Sequence, residues 1–249
     1  MNHLQKYLST SLVATTALLA GASSALAQVP LGAASNFAIL GGTAVTCTNG
    51  VVTGDVGVSP GSAYTNTGCT IAGVVPPATN SAAKTAHADF LDAYKALETT
   101  TCTQMLSDLA NVKLAPGNYC VDSVAKTGTL TLTGPSTGVW NFKVNGGLTG
   151  TNFSVVMAGG GLACNVFWAP TAGVTMTTSA FKGNILAGNA ADGAITMTGG
   201  TLTGRALADV GVTLTGTGVV GCAALSGSTT STDPKHPKNQ SVSPFGSTN

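Results

Sequence analysis

The chain has 249 residues, of which 43% are hydrophobic and only 8% charged, with 33 glycines and a formal net charge of +1. Soluble domains average about 25% charged residues and about 7% glycine, so this surface is poor in charge and the backbone turns often. Arg205 is the only arginine. The charge balance therefore excludes a nucleic-acid binder, which needs a basic patch, and a polybasic membrane-surface binder.

Residues 1–27 read as a secretory leader. Lys6 supplies a positive start, "LVATTALLAGASSALA" is apolar and small, and Ala25-Leu26-Ala27 is an A-x-A cleavage site. The mature chain then begins at Gln28 as an exported chain. A retained anchor is the alternative reading of the leader. No later stretch is long and apolar enough to span a bilayer as a helix. All six cysteines, Cys47, Cys69, Cys102, Cys120, Cys164 and Cys222, lie beyond the leader. An even number in an exported chain favours disulfides. Of the pairings that six cysteines allow, joining sequence neighbours gives Cys47–Cys69, Cys102–Cys120 and Cys164–Cys222. No C-x-x-C occurs, so metal and thioredoxin-type readings have little support.

Residues 31–76 alternate apolar with small polar residues between glycines and prolines, which predicts short strands. Segment 80–98, "NSAAKTAHADFLDAYKALE", has no Gly or Pro. Ala83, Ala86, Phe90, Tyr94 and Leu97 fall on one stripe at helical spacing, with Asn80 or Ser81 as N-cap. Strands resume at "KLAPGNYCVDS" and continue to about Cys222. The tail, 226–249, is rich in Ser, Thr, Pro and Asn and is expected to be disordered. Residues 28–225 thus form the domain.

Within it, "LTGTNFSVVMAGG", "VTMTTSAFKGNILAG", "ITMTGGTLTGRALAD" and "VTLTGTGVVG" are an irregular repeat. Repeats of about 20 residues with glycine corners predict a solenoid. A flat sandwich is the alternative. Strand alternation turns Leu130, Leu132, Phe142, Val144, Phe153, Val155, Met157, Val174, Met176, Phe181, Ile185, Ile195, Met197, Leu202, Val212 and Leu214 inward. Trp140 and Trp168 alternate with them and are expected to be buried. The threonines between point out.

The titratable groups offer no converging set. His236 lies in the tail and His87 on the helix, where a surface or capping role suffices. The acids are dispersed, with turn roles for Asp55 and Asp122, so paired carboxylates of a glycosidase are not visible. No G-x-S-x-G elbow or Walker A motif occurs. A polysaccharide lyase would need clustered acidic and basic residues that the sequence lacks. Lys182 and Arg205, in "FKGN" and "LTGR", take similar places in consecutive repeats and predict a solvated, charged face. The chain reads as a non-enzyme with no cofactor, no metal and no small-molecule substrate, and as a monomer.

What remains is the threonine array. Threonine is stiff at χ1 and carries both a hydroxyl and a methyl. A grid of such groups at strand spacings resembles the repeat of a crystalline surface, with ordered water or a layered polysaccharide as candidates. The plainer reading is that threonine is a good strand former.

"LGAASNFAILGGTAVTCTNGVVTGDVGVSPG" (31–61), "LAPGNYC", "ACNVFWAP", "FKGNILAG" and "LTGRALA" resemble, in order, the signatures of the microbial ice-binding (antifreeze) protein family, over about residues 30–222. The resemblance implies a mainly β chain: a right-handed irregular β-solenoid, or triangular β-helix, with one long α-helix (about 80–98) alongside and coils stacked out of sequence order. It implies a protein secreted or displayed at the cell surface, with an ice crystal surface as partner. The family's T-(A/G)-x-(T/N) motif is matched by Thr149-Gly150-Thr151-Asn152, Thr198-Gly199-Gly200-Thr201 and Thr67-Gly68-Cys69-Thr70. Thr177-Thr178-Ser179-Ala180 and Thr215-Gly216-Thr217-Gly218 match in part. Alternation adds Thr131, Thr133, Thr175, Thr196 and Thr213. The segment between Ala63 and Asn80 is too short for the cap insertion of some members. The alternative function is adhesion to polysaccharide or another solid, which an exposed aromatic row would favour.

Overall fold

The computed structural model describes residues 26, 28–75, 81–122 and 125–222. The leader, the N-cap candidate Asn80 and the tail lie outside the described residues.

Every strand pairing is parallel. Tight hairpins cannot join parallel strands, so the chain winds in coils, each laying strands onto three ladders. The sandwich alternative, built on antiparallel hairpins, is thereby excluded. One ladder carries the helix. It runs Gln104–Leu106, Gly117–Asp122, Trp140–Asn145, Val166–Pro170, the ends of Ala180–Ala187 and Thr201–Ala208, then Phe37–Gly41 and Asp55–Val58. The stacking order breaks the sequence order. Ala206 on the last full coil pairs with Ile39 on the first strand of the domain, so the N-terminal coils extend the C-terminal end of the stack.

That break requires a return path. The strand Thr70–Ala72 ends at one extremity of the solenoid, and Gln104–Leu106 begins at the other. Seven pairings separate the extremities on the helix ladder, which is about 34 Å at the usual strand spacing. The helix Ser81–Thr99 has 19 residues and covers about 28 Å, so with its flanking loops it spans the stack. Its inner stripe, Ala83, Ala86, Phe90, Ala93, Tyr94 and Leu97, is buried against Phe167, Ala169, Leu186, Leu207 and Leu40 of the ladder beneath. The stripe expected from spacing is present, with Ala93 added. Polar contacts fix its position. Asp89 accepts from the Ala33 amide at 2.7 Å, and Lys143 donates to the Glu98 carbonyl. His87, expected at the surface or in a cap, instead pairs with Asp209 at 2.9 Å with little side-chain exposure.

A second core fills the coils. All the inward residues expected from alternation pack there, Met157 only in part. Trp140 and Trp168 are fully buried. Trp168 stacks on Phe142 with centroids 4.0 Å apart, and Tyr119 and Phe181 extend the aromatic column. Both indole N–H groups are satisfied, by the Leu114 and Lys182 carbonyls, as burial of a tryptophan demands. The disulfides Cys47–Cys69, Cys102–Cys120 and Cys164–Cys222 are present. The first two join neighbouring coils, and the third ties the end of the last C-terminal strand to the turn before Val166–Pro170.

Candidate functional site

The second ladder begins at the start of Ala125–Thr133, where the buried Lys126 pairs with Gly150, and continues through six aligned segments: Leu148–Ala158 (its first half), Val174–Thr177, Ile195–Thr198, Gly211–Thr215, Ala44–Thr48 and Ala63–Thr67. Each of the six has the form apolar-Thr-x-Thr or its equivalent, so alternation sends the apolar residue in and both threonines out. The registers align them. Thr149, Thr175, Thr196, Thr213, Thr46 and Thr65 form one row, and Thr151, Thr177, Thr198, Thr215, Thr48 and Thr67 the next. All twelve are exposed or half-buried. None of the six aligned segments contributes a charged residue. The rows lie about 6.7 Å apart and successive strands about 4.7–4.9 Å apart.

One edge of this face is a repeated corner. The residue after each second-row threonine is left-handed: Asn152, Thr178, Gly199, Gly216, Asn49 and Gly68 have φ between 48° and 75°. The same backbone conformation recurs coil after coil, so the chain leaves this face at the equivalent position of each coil. At two of these corners the next position carries a hydroxyl that points inward. Ser179 and Thr217 are each only 1% exposed. The Ser179 hydroxyl accepts from the Phe153 amide and donates to the Thr177 carbonyl. At Gly200 a side chain would meet the Ser179 carbonyl oxygen at 2.2 Å, so that corner accepts only glycine.

Several expected site residues fall elsewhere. Thr217 is internal, its hydroxyl 3.1–3.2 Å from the carbonyls of Met197, Gly199 and Thr215, and it cannot touch a surface. Thr201 and Thr70 lie past the corner on the third ladder. Thr131 is also there, between Lys113 and Val156, and Thr133 pairs with Ala158 on the same ladder. Asn152 is in the corner, where it accepts from the Thr178 hydroxyl. Three array members were missed from the sequence: Thr46, Thr48 and Thr65. The signal was present as alternation in "TAVTCT" and "AYTNT", but the coil order that brings these strands beside Gly211–Thr215 was not legible residue by residue.

The supposed charged face is not one. Lys182 pairs with Thr203 on the third ladder, whereas Arg205 pairs with Asn184 on the helix ladder. Gly183 and Gly204, both at positive φ, turn the chain between them. Arg205 is buried beneath the turn Gly32–Asn36. It donates to the Ser35 carbonyl at 2.7 and 3.2 Å and to the Asn184 side chain at 2.8 Å. Burial pushes its pKa down to about 10. The third ladder mixes Thr and Ala with the exposed Val51, Val156 and Val220.

Catalytic geometry has little to build on. Among the described residues no group of three His, Cys, Asp or Glu could hold a metal ion. Glu98 has its pKa raised, chiefly by burial and against the pull of Lys143, yet it lies in the last turn of the helix with no cluster of titratable groups around it, among the described residues, that could hold a metal ion. Tyr94 beside it is pushed up to about 12, first by burial and then by Glu98. The threonine array is an extended regular feature that the solenoid presents to solvent.

Known proteins share this architecture. An ice-binding protein of Typhula ishikariensis, K3-B1, is 33% identical over 207 residues, covering 72% of this chain and 85% of its own. An ice-binding protein of Flavobacterium frigoris (strain PS1) is 34% identical over 210 residues, 75% of this chain and 74% of that one. The crystal structure of an ice-binding protein from the Antarctic ascomycete Antarctomyces psychrotrophicus superposes with a TM-score of 0.71 at 29% identity, over 78% of this chain and 98% of that one. The model of the family described as ice-binding-like matches residues 39–220. With its parallel coils, its out-of-order stacking and its long helix, the chain belongs to the ice-binding-like family.

Proposed function

We propose that this chain is an exported protein that adsorbs to ice through the twelve-threonine face and so restrains crystal growth and recrystallisation. The observation that carries the proposal is the register: two uncharged rows of six threonines on parallel strands of one ladder. Water oxygens hydrogen-bonded at about 2.75 Å with tetrahedral angles place second neighbours about 4.5 Å apart. Strands stack at about 4.7–4.9 Å, close enough for a hydroxyl on each coil to hold one site of such a lattice.

The residue type fits the task. The methyl group repels strong local hydration, while the hydroxyl donates and accepts like water. A stiff χ1 keeps the array ordered before contact, so little side-chain entropy is lost on binding. A charge in the array would orient water around itself and break the lattice, and none is there. Once adsorbed at several points, the protein holds the front back locally. Ice then bulges between adsorbed molecules, and the curvature lowers its local melting point. No reaction and no cofactor are needed. The leader and the disulfides support export.

The direct test is partition of the fluorescently labelled mature domain into a growing ice hemisphere. The proposal expects labelled ice. Exclusion of the folded protein from ice would reject it and bring adhesion to another solid forward.

A further inference from the structure

A cavity of about 370 Å³ opens beside the buried guanidinium of Arg205, lined by Gln28, Val29, Pro30, Leu31, Gly32, Ser35 and that arginine. The lining holds one cation and no carboxylate. Asp89 lies behind Gly32 of this turn, outside the lining, and its carboxylate is engaged by the Ala33 amide. Gln28 is exposed, and its carboxamide donates to the Asn165 side chain at 3.3 Å. The residue at the proposed leader junction is thus also a wall of the cavity.

We propose that Gln28 is a modification site: after leader removal it closes to an N-terminal pyroglutamyl lactam that seats in the Arg205 cavity. The inference rests on the export reading, because only cleavage after Ala27 frees the α-amine. The step balances without a further reactant. The α-amine nitrogen attacks the side-chain amide carbon, the bond from that carbon to Nε2 breaks, and Nε2 departs with the amine proton as ammonia. An uncyclised terminus would place an ammonium, largely protonated at neutral pH, in a cavity already walled by a guanidinium, where like charges repel. Cyclisation removes that charge. It also leaves a neutral ring whose carbonyl can accept from the guanidinium, which has N–H groups beyond the three engaged with Ser35 and Asn184. Leu26, which packs at the edge of the helix-side cluster, leaves with the leader, so the ring becomes the new end of the turn over Arg205.

The test is mass spectrometry of the full chain, leader included, produced in a secreting host, with Gln28→Ala beside it. The expected product starts at residue 28, is lighter than the free-amine form by one ammonia, and resists amine-directed labelling at its terminus. Gln28→Ala should start at the same place and carry a labelable amine. If the lactam is seated, pyroglutamyl aminopeptidase should remove it at least about tenfold more slowly from the folded than from the reduced, denatured protein. A start at residue 28 with a free amine overturns the lactam and leaves export standing. A secreted product that starts elsewhere overturns the lactam and leaves export standing, whereas an uncleaved leader overturns both. Equal removal rates from folded and denatured protein overturn the seating.

Discussion

Thr215 stands directly opposite Thr48 in parallel register, one from the last threonine strand in sequence and the other from the first. With Thr213 opposite Thr46 in the first row, this pair joins the two halves of the array. The N-terminal coils therefore contribute a third of the proposed contact, through Thr46, Thr48, Thr65 and Thr67. A bulky substitution there, Thr46→Tyr, should reduce thermal hysteresis about as strongly as Thr196→Tyr in the same row. Parallel ice-growth assays of the two variants check this. Activity untouched by Thr46→Tyr would confine the contact to the coils after Leu148.

The helix holds the out-of-order stack together, so its main anchor should matter for stability and not for the array. Phe90 is fully buried between helix and ladder. Phe90→Ala should cost about 3–5 kcal/mol, the usual range for emptying an aromatic site. Urea unfolding of the variant measures it. At a temperature where the variant remains folded, its activity on ice should match the parent's.

Arg205 offers a contrasting case. Removing it leaves the Ser35 carbonyl and the Asn184 oxygen without their donor, and lost hydrogen bonds to a charged group each cost about 1.5–3 kcal/mol. Arg205→Ala should therefore lower the melting temperature clearly, whereas Lys182→Ala, on the third ladder, should leave it unchanged. Equal melting temperatures for the two variants would contradict the buried network.

Glu98 gives a pH signature. Burial raises its pKa above the ordinary carboxylate value in the folded state, so the folded protein binds this proton more tightly than the unfolded chain does. Its contribution to stability is then largest at low pH and falls as pH rises through the window between the unfolded and the raised folded value. Glu98→Gln should lose that dependence and be modestly more stable than the parent at neutral pH. Melting temperatures across an acid-to-neutral series read this out.

Much of this was legible in the sequence, for local reasons. Alternation and helical spacing act over a few residues, so the inner core, the stripe from Ala83 to Leu97 and the outward threonines of "VTMT", "ITMT" and "VTLT" could be read directly. What could not be read depends on contacts between distant segments. Thr201 and Thr198 look like members of one row, but the left-handed Gly199 and the constrained Gly200 turn the chain between them. Thr217 resembles Thr215 in composition and faces the opposite way, because a corner consumes the intervening residue. Arg205 reads as surface charge until the turn Gly32–Asn36, far away in sequence, closes over it. Thr46 and Thr48 join the array only because the return helix lets the first coils stack on the last.

The central claim is that the twelve-threonine face is the ice contact, and one measurement addresses it most directly: thermal hysteresis of Thr198→Tyr beside Val156→Tyr on the third ladder, with circular dichroism on both. Both positions are exposed on strands, and such surface changes usually stay within about 0.5 kcal/mol of stability, so both variants should fold. A phenol at Thr198 stands proud in the middle of its row and lifts several coils off a flat crystal. The expected result is loss of most of the hysteresis in Thr198→Tyr and parent-like activity in Val156→Tyr. A folded Thr198→Tyr protein with full activity, above all if Val156→Tyr has lost it, would contradict the account and move the contact past the corner to the third ladder.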